Sequence, residues 1–160
     1  MRANTKLFRA KSLDTGEWIF GHYACGVDYL DEDRINHIII PTDATLYPRS
    51  EIHYEFVDPE TVTQSINSLD RNEKMMFEGD IVNVYRKGAS GIKDEFRCVG
   101  VIDSDSCFIE NGYGRCMPQD TVCMEIVGNI FDNPELISER TRIWIENYWN
   151  SELPNCKWMF

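Results

Sequence analysis

Apolar and polar residues alternate along much of this chain with the period of two that a half-buried strand requires. The strongest stretch is Met75-Met76-Phe77-Glu78-Gly79-Asp80-Ile81-Val82-Asn83-Val84-Tyr85, where a Glu-Gly-Asp corner feeds a β-branched and aromatic run. Gly79 suits a sharp corner because it adopts backbone conformations that side chains exclude. Ile81 to Tyr85 is therefore expected to be a strand. Upstream, Lys6 to Ala10 and Trp18 to Ala24 alternate on either side of Asp14-Thr15-Gly16-Glu17, a turn by composition, and predict an opening hairpin. Ile35 to Ile40 is β-branched and is stopped by Pro41, while Ala44 to Ile52 has no period.

Tyr54 to Val57 alternates again and leads into Asp58-Pro59-Glu60-Thr61. Asp58 as an N-cap with Pro59 behind it would start a helix. The β-branched and hydroxyl residues of Thr61 to Ile66 favour a turn followed by a strand instead. Leu69 to Lys74 is polar and turn-like. Beyond the corner, Phe96 to Ile102 predicts a strand in which Gly100 marks a bend or bulge. Cys107 to Ile109 and Cys123 to Ile130 predict two more, separated by turns at 103–106 and 111–114. Short strands at this spacing with glycine-rich corners suggest a small barrel.

The pattern changes at Asn133-Pro134-Glu135, a helix start by its cap, its proline and its early acid. A helix is expected over 134–150, with Ile137, Trp144, Ile145, Tyr148 and Trp149 near one face. The chain then ends on Trp158-Met159-Phe160, apolar residues that a free tail rarely carries. The whole reads as mainly β (α+β), with an N-terminal β-rich lobe over 1–66, a barrel over 67–132, and a C-terminal helix and aromatic tail over 133–160.

At 160 residues and 42% apolar content the chain can bury a core. Its 27 acids against 16 bases give a net charge of −11, which repels phosphate backbones and argues against non-specific nucleic-acid binding. The first eight residues lack an apolar signal core, and no run approaches a membrane span, so a cytoplasmic protein is expected. In that compartment the six cysteines, at 25, 98, 107, 116, 123 and 156, are expected to be reduced and mostly packed. None falls in a C-x-x-C pair.

Candidate chemistry adds little. There is no Gly-x-Ser-x-Gly elbow. His22 and Cys25 are close in sequence, but their odd separation on one strand points them to opposite faces. His37 and His53 stand alone. Asp103-Ser104-Asp105 begins like a calcium loop but lacks its glycine and distal glutamate. Asp28, Asp31, Glu32 and Asp33 read as a solvated turn, and Lys87-Gly88-Ala89-Ser90-Gly91 leads toward a strand rather than the helix a phosphate cradle needs. Glu78 and Asp80 flank the corner, where local hydrogen bonds are the expected role. No catalytic residue, cofactor or metal is expected.

One resemblance links these blocks. Leu7-Phe8-Arg9-Ala10 with Thr15-Gly16-Glu17-Trp18, then Val57-Asp58-Pro59-Glu60-Thr61-Val62 with Gln64, then Glu78-Gly79-Asp80-Ile81-Val82, then Glu125-Ile126-Val127-Gly128-Asn129-Ile130 before Asn133-Pro134-Glu135-Leu136, resemble the YopX family of uncharacterised phage and prophage proteins. The resemblance spans about residues 6 to 137. It implies an SH3-like barrel and a phage or prophage context, and it carries no catalytic residues. The chain departs from the family pattern before the corner. Where the family commonly has Thr-Gly-Leu and Asp-Lys-Asn-Gly-Lys, Asn67-Ser68-Leu69 and Asp70-Arg71-Asn72-Glu73-Lys74 stand here, so both glycines are lost.

These readings together predict a non-enzymatic interaction module that binds a host or phage protein and self-associates through Trp144, Tyr148, Trp149, Trp158 and Phe160. Two alternatives stay open: a nucleic-acid or nucleoprotein-binding regulator, and an acidic inhibitor of a basic host protein.

Overall fold

The computed structural model describes residues 6–28, 30, 34–42, 53–86, 88, 94–103, 107–109, 115–116 and 122–152. The chain divides into two compact units, Met1–Glu78 and Gly79–Phe160. Each is built on one antiparallel sheet.

The first unit contains β1 (Phe8–Lys11), β2 (Trp18–Val27), β3 (Ile35–Pro41), β4 (Glu55–Phe56), β5 (Thr63–Leu69) and β6 (Met75–Phe77), in the sheet order β4-β3-β2-β1-β5-β6. The expected opening hairpin is β1 and β2, in register from Phe8 opposite Gly21 to Lys11 opposite Trp18. Gly21 is required there: a Cβ would lie 2.0 Å from the Ile40 carbonyl oxygen on β3. One sheet face carries the core of Ala10, Ile39, Val57 and Val62, with Phe8, Ile19 and Tyr23 packed against it.

On the other face Arg9 is buried between two rings, its guanidinium 4.8 Å from the Trp18 centroid and 4.9 Å from that of Phe77. Its Nε donates to Thr63 Oγ1 at 3.1 Å and its Nη2 to the Glu78 carbonyl at 3.3 Å. A buried charge is tolerable only when its donors are satisfied and its field has partners, and here hydrogen bonds and ring faces supply both.

The Asp58-Pro59-Glu60-Thr61 tetrad satisfies part of each reading. Asp58 caps a single 3-10 turn, Pro59–Thr61, by accepting from the Glu60 amide at 3.0 Å, and the chain then runs straight into β5. The strand continues to Leu69 and pairs with β6, so this unit's sheet extends past the boundary expected at residue 66.

The end of β5 and the turn into β6 form the stretch where the resemblance implied two glycines. It contains Asn67 (φ 54°) and Glu73 (φ 63°), the non-glycine residues with positive φ among those described. The turn is held from within. The Asp70 carboxylate accepts from the amides of Asn72 at 2.8 Å and Lys74 at 2.9 Å, and the Asp70 amide donates to the Lys74 carbonyl at 2.8 Å. Asp70 itself is buried. Hydrogen bonds to a carboxylate hold the loop in a backbone state that Glu73 would not choose alone.

The second unit begins at the corner. Gly79 has φ +80°, donates its amide to the Ile102 carbonyl at 2.9 Å and accepts from the Ile130 amide at 3.0 Å. A Cβ there would meet Ile130 side-chain atoms at 3.3 Å. From this corner run β7 (Asp80–Arg86), β8 (Glu95–Ile102), β9 (Cys107–Ile109), β10 (Arg115–Cys116) and β11 (Val122–Asn129), in the order β10-β9-β8-β7-β11. The fold is thus mainly β, with two antiparallel sheets; among the described residues the second sheet does not close between β10 and β11.

The irregularity expected at Gly100 lies elsewhere. Gly100 is in register opposite Val82, and the shift comes where Val84 faces Cys98 and Tyr85 faces Phe96, leaving Arg97 as the extra residue. Arg97 is exposed and its Nη2 lies 3.0 Å from Glu95 Oε2, so the bulge falls where no core contact enforces the register. A second shift on β11 leaves Val127 extra.

The helix α1 spans Glu139–Glu152 and starts later than expected. Asn133 makes no side-chain cap; its Oδ1 accepts from the Asn129 amide at 3.4 Å. Pro134–Leu136 forms one 3-10 turn, and Ile137 is then extended at φ −120° and ψ 151°. Ile137 turns inward and is buried, which interrupts the helical path, and Ser138 supplies the new start. The Ser138 hydroxyl accepts from the Thr141 amide at 3.3 Å, and its carbonyl accepts from the Arg142 amide at 3.0 Å. Ile137 and Ile145 join Ile81 and Val101 in the core of this unit.

Candidate functional site

The candidate surface from sequence begins on α1. Thr141 and Ile145, four residues apart, are buried on one side. Ile143, on the helix's opposite side, and Trp144, on its flank, lie 49% and 50% exposed. The expectation that Trp144 shares a buried face with Ile137 and Ile145 is therefore corrected. At 100° per residue, Trp144 is rotated off the Thr141–Ile145 line that sets the inward direction. Tyr148 and Trp149 belong to α1 by backbone, but their side chains lie outside the described residues, as do Trp158 and Phe160. Gly128 lets the strand approach the turn before the helix closely, since a Cβ would lie 2.7 Å from Asn133 Oδ1 and 2.8 Å from Leu136 Cδ1.

A polar group occupies the sheet of the same unit. The Tyr85 hydroxyl donates to Glu125 Oε2 at 2.9 Å, the Tyr85 ring meets Phe96 edge-on at 5.8 Å, and Cys123 Sγ donates to Asp94 Oδ2 at 3.3 Å. Asp94 Oδ1 also accepts from the Gly88 amide at 3.2 Å. These contacts tie the ends of β7, β8 and β11 together.

In the first unit the pair weighed in sequence, His22 and Cys25, is not brought together. The β2–β3 register instead sets Cys25 opposite His37 and Tyr23 opposite Ile39. The Tyr23 hydroxyl lies 2.6 Å from His37 Nδ1, and the two rings stack at 6.0 Å and 24°. Burial, then the charge and hydrogen bond of Cys25, push the Tyr23 phenol up to about 12. Sequence reasoning missed this group because cross-strand neighbours depend on hairpin register, which an irregular loop does not reveal. His53 Nε2 lies 3.6 Å from Glu55 Oε1, an ion pair when the ring is protonated.

Asp28 is an ordinary turn residue. Its carboxyl accepts from the Leu30 amide at 2.9 Å and from Asn36 Nδ2 at 3.1 Å, and those bonds hold it below the usual carboxylate range. Asp31, Glu32 and Asp33 lie outside the described residues, as do 104–106, 111–114 and most of 87–91. Among the described residues, no group of three or more His, Cys, Asp or Glu side chains is arranged to hold a metal ion, and no helix is long and apolar enough to cross a membrane.

Fold and site thus define a two-unit, mainly β protein whose one described α-helix leaves Ile143 and Trp144 half exposed beside the exposed Arg140, Arg142 and Asn147. The family model described as YopX protein matches residues 7–138, and the chain belongs to the YopX family. No curated protein matches the chain, and no solved structure does.

Proposed function

We propose that this protein is a non-enzymatic interaction module of phage or prophage origin, working in the cytoplasm, that self-associates and binds a host or phage protein through its C-terminal segment. In this reading the second unit is an SH3-like barrel whose open edges and loops accompany that surface. The supporting observation is the half-exposed pair Ile143 and Trp144 on α1, immediately before Tyr148, Trp149 and the Trp158-Met159-Phe160 end of the chain. Large aromatic residues contribute most of the energy of protein interfaces when they enter a partner's pocket. Large apolar side chains left half exposed together are a feature of interaction sites.

The net charge of −11 favours a second reading, in which the protein occupies a basic surface of a host protein. The same charge disfavours nucleic acid as the ligand. Sedimentation velocity across a concentration series tests the first reading. A dimer or larger species that dissociates on dilution is expected, and a monomer at all concentrations would remove self-association. Capture of a basic host protein that releases at high salt would favour the second.

A further inference from the structure

We propose that Cys107 and Cys116 form an oxidation site, a pair of thiols that a small disulfide converts into one cross-strand disulfide. Strands β9 and β10 are antiparallel, with Arg115 opposite Phe108 and Cys116 opposite Cys107. Residues directly opposite in such a pair have Cα atoms about 4.5 or 5.5 Å apart, according to their place in the hydrogen-bond ladder. Both spacings fall within the range of about 4.4–6.8 Å that a disulfide spans without backbone movement. Directly opposed residues also share a sheet face. The register therefore places the two cysteines where the bond needs them, whichever kind of pair they form.

Among the described registers, no other cysteine is set against a cysteine. Cys25 is opposite His37, Cys98 opposite Val84, and Cys123 opposite Tyr85. The Cys123 thiol also donates to Asp94.

The two positions divide the reaction between them. Cys107 is buried, and its partner on β8, Ile102, is buried too, so a reagent in solvent does not reach it directly. β10 is two residues long and stands at the end of the sheet order, the kind of short edge element that opens at low cost. The first exchange therefore falls to Cys116. Its sulfur attacks one sulfur of the small disulfide, whose S–S bond breaks, and the departing thiolate takes up the Cys116 proton. The Cys107 sulfur then attacks the Cys116 sulfur. A second S–S bond forms, and the remaining small thiolate leaves with the Cys107 proton. Two protein thiols are oxidised and one small disulfide is reduced to two thiols. In a reducing compartment both cysteines stay as thiols, and the bond forms when small disulfides accumulate. It then ties the edge strand to β9 and closes the turn between them.

The test is equilibration of the native full chain in glutathione buffers of rising disulfide content. Acid quenching, thiol alkylation and peptide mapping without reduction follow. A linked Cys107–Cys116 peptide is expected as the first intramolecular disulfide. It should form at an oxidised-to-reduced ratio about tenfold lower than in the urea-unfolded chain, because the register raises the effective concentration of the pair. Cys116→Ser, on the edge strand, should leave Cys107 reduced at that ratio, and Cys107→Ser should stop Cys116 at its mixed disulfide with glutathione. The proposal fails if the native chain yields no Cys107–Cys116 link, or if native and unfolded chains form it at the same ratio. It also fails if Cys107 is oxidised as readily in Cys116→Ser as in the parent.

Discussion

Two of the described turns that take a left-handed backbone meet the need by different means. At the corner that opens β7, Gly79 (φ +80°) has no side chain to strain, and the space a Cβ would use is lined by Ile130 and Phe131. In the β5–β6 turn, Glu73 takes a φ of 63° while carrying a side chain, and Asn67, near the end of β5, takes 54°. There the strain is borne by the Asp70 carboxylate and its backbone hydrogen bonds. The lesson is that a left-handed turn does not require glycine, provided that neighbouring groups over-determine the conformation. The Gly79 corner leaves no such freedom, because packing as well as φ opposes a side chain.

The largest effect that would test this contrast is at the corner. Gly79→Val places a β-branched residue at positive φ against Ile130, and a loss of about 3–5 kcal/mol is expected in chemical denaturation. Melting unchanged from the parent would show that the corner is not the determinant described. Asp70→Ala removes the acceptor for two backbone amides, and a loss of about 2 kcal/mol should appear in the same assay. A neutral result would mean that the turn is held by something else. Glu73→Gly should act in the opposite direction, raising stability by about 1 kcal/mol as strain is relieved, with Asn67→Gly gaining less because asparagine already tolerates this conformation. If Glu73→Gly destabilised the protein, the turn would not be strained, and the contrast between the corners would disappear.

Local features of the fold were the most legible in sequence. Alternation and runs of β-branched or aromatic residues located β1, β2, β3, β7, β8, β9 and β11, and a glycine beside a β-branched run located the corner. Short edge elements such as Met75–Phe77 and Arg115–Cys116 were not visible, because two or three residues cannot display a period. The bulge at Arg97 rather than Gly100 reflects register, a relation between strands that one strand's composition does not encode. Helix onset moved from Pro134 to Glu139 because Ile137 satisfies the core better than it continues a helix. The same limit governs the sites. Trp144 was legible as a large aromatic on a helix, but its outward direction depended on where that helix began. The Tyr23–His37–Cys25 group needed the pairing of β2 with β3 before its members became neighbours.

The most direct test of the interaction reading is sedimentation velocity on the full-length Ile143→Ser, Trp144→Ser double variant beside the parent, at matched concentrations, with circular dichroism to confirm that both are folded. Both positions are half exposed while Ile145 carries the core contact, so the variant should fold normally. The account predicts an associating parent and a variant shifted toward monomer, its association weakened about tenfold or more by loss of an interface aromatic. A folded variant that associates as strongly as the parent would contradict it.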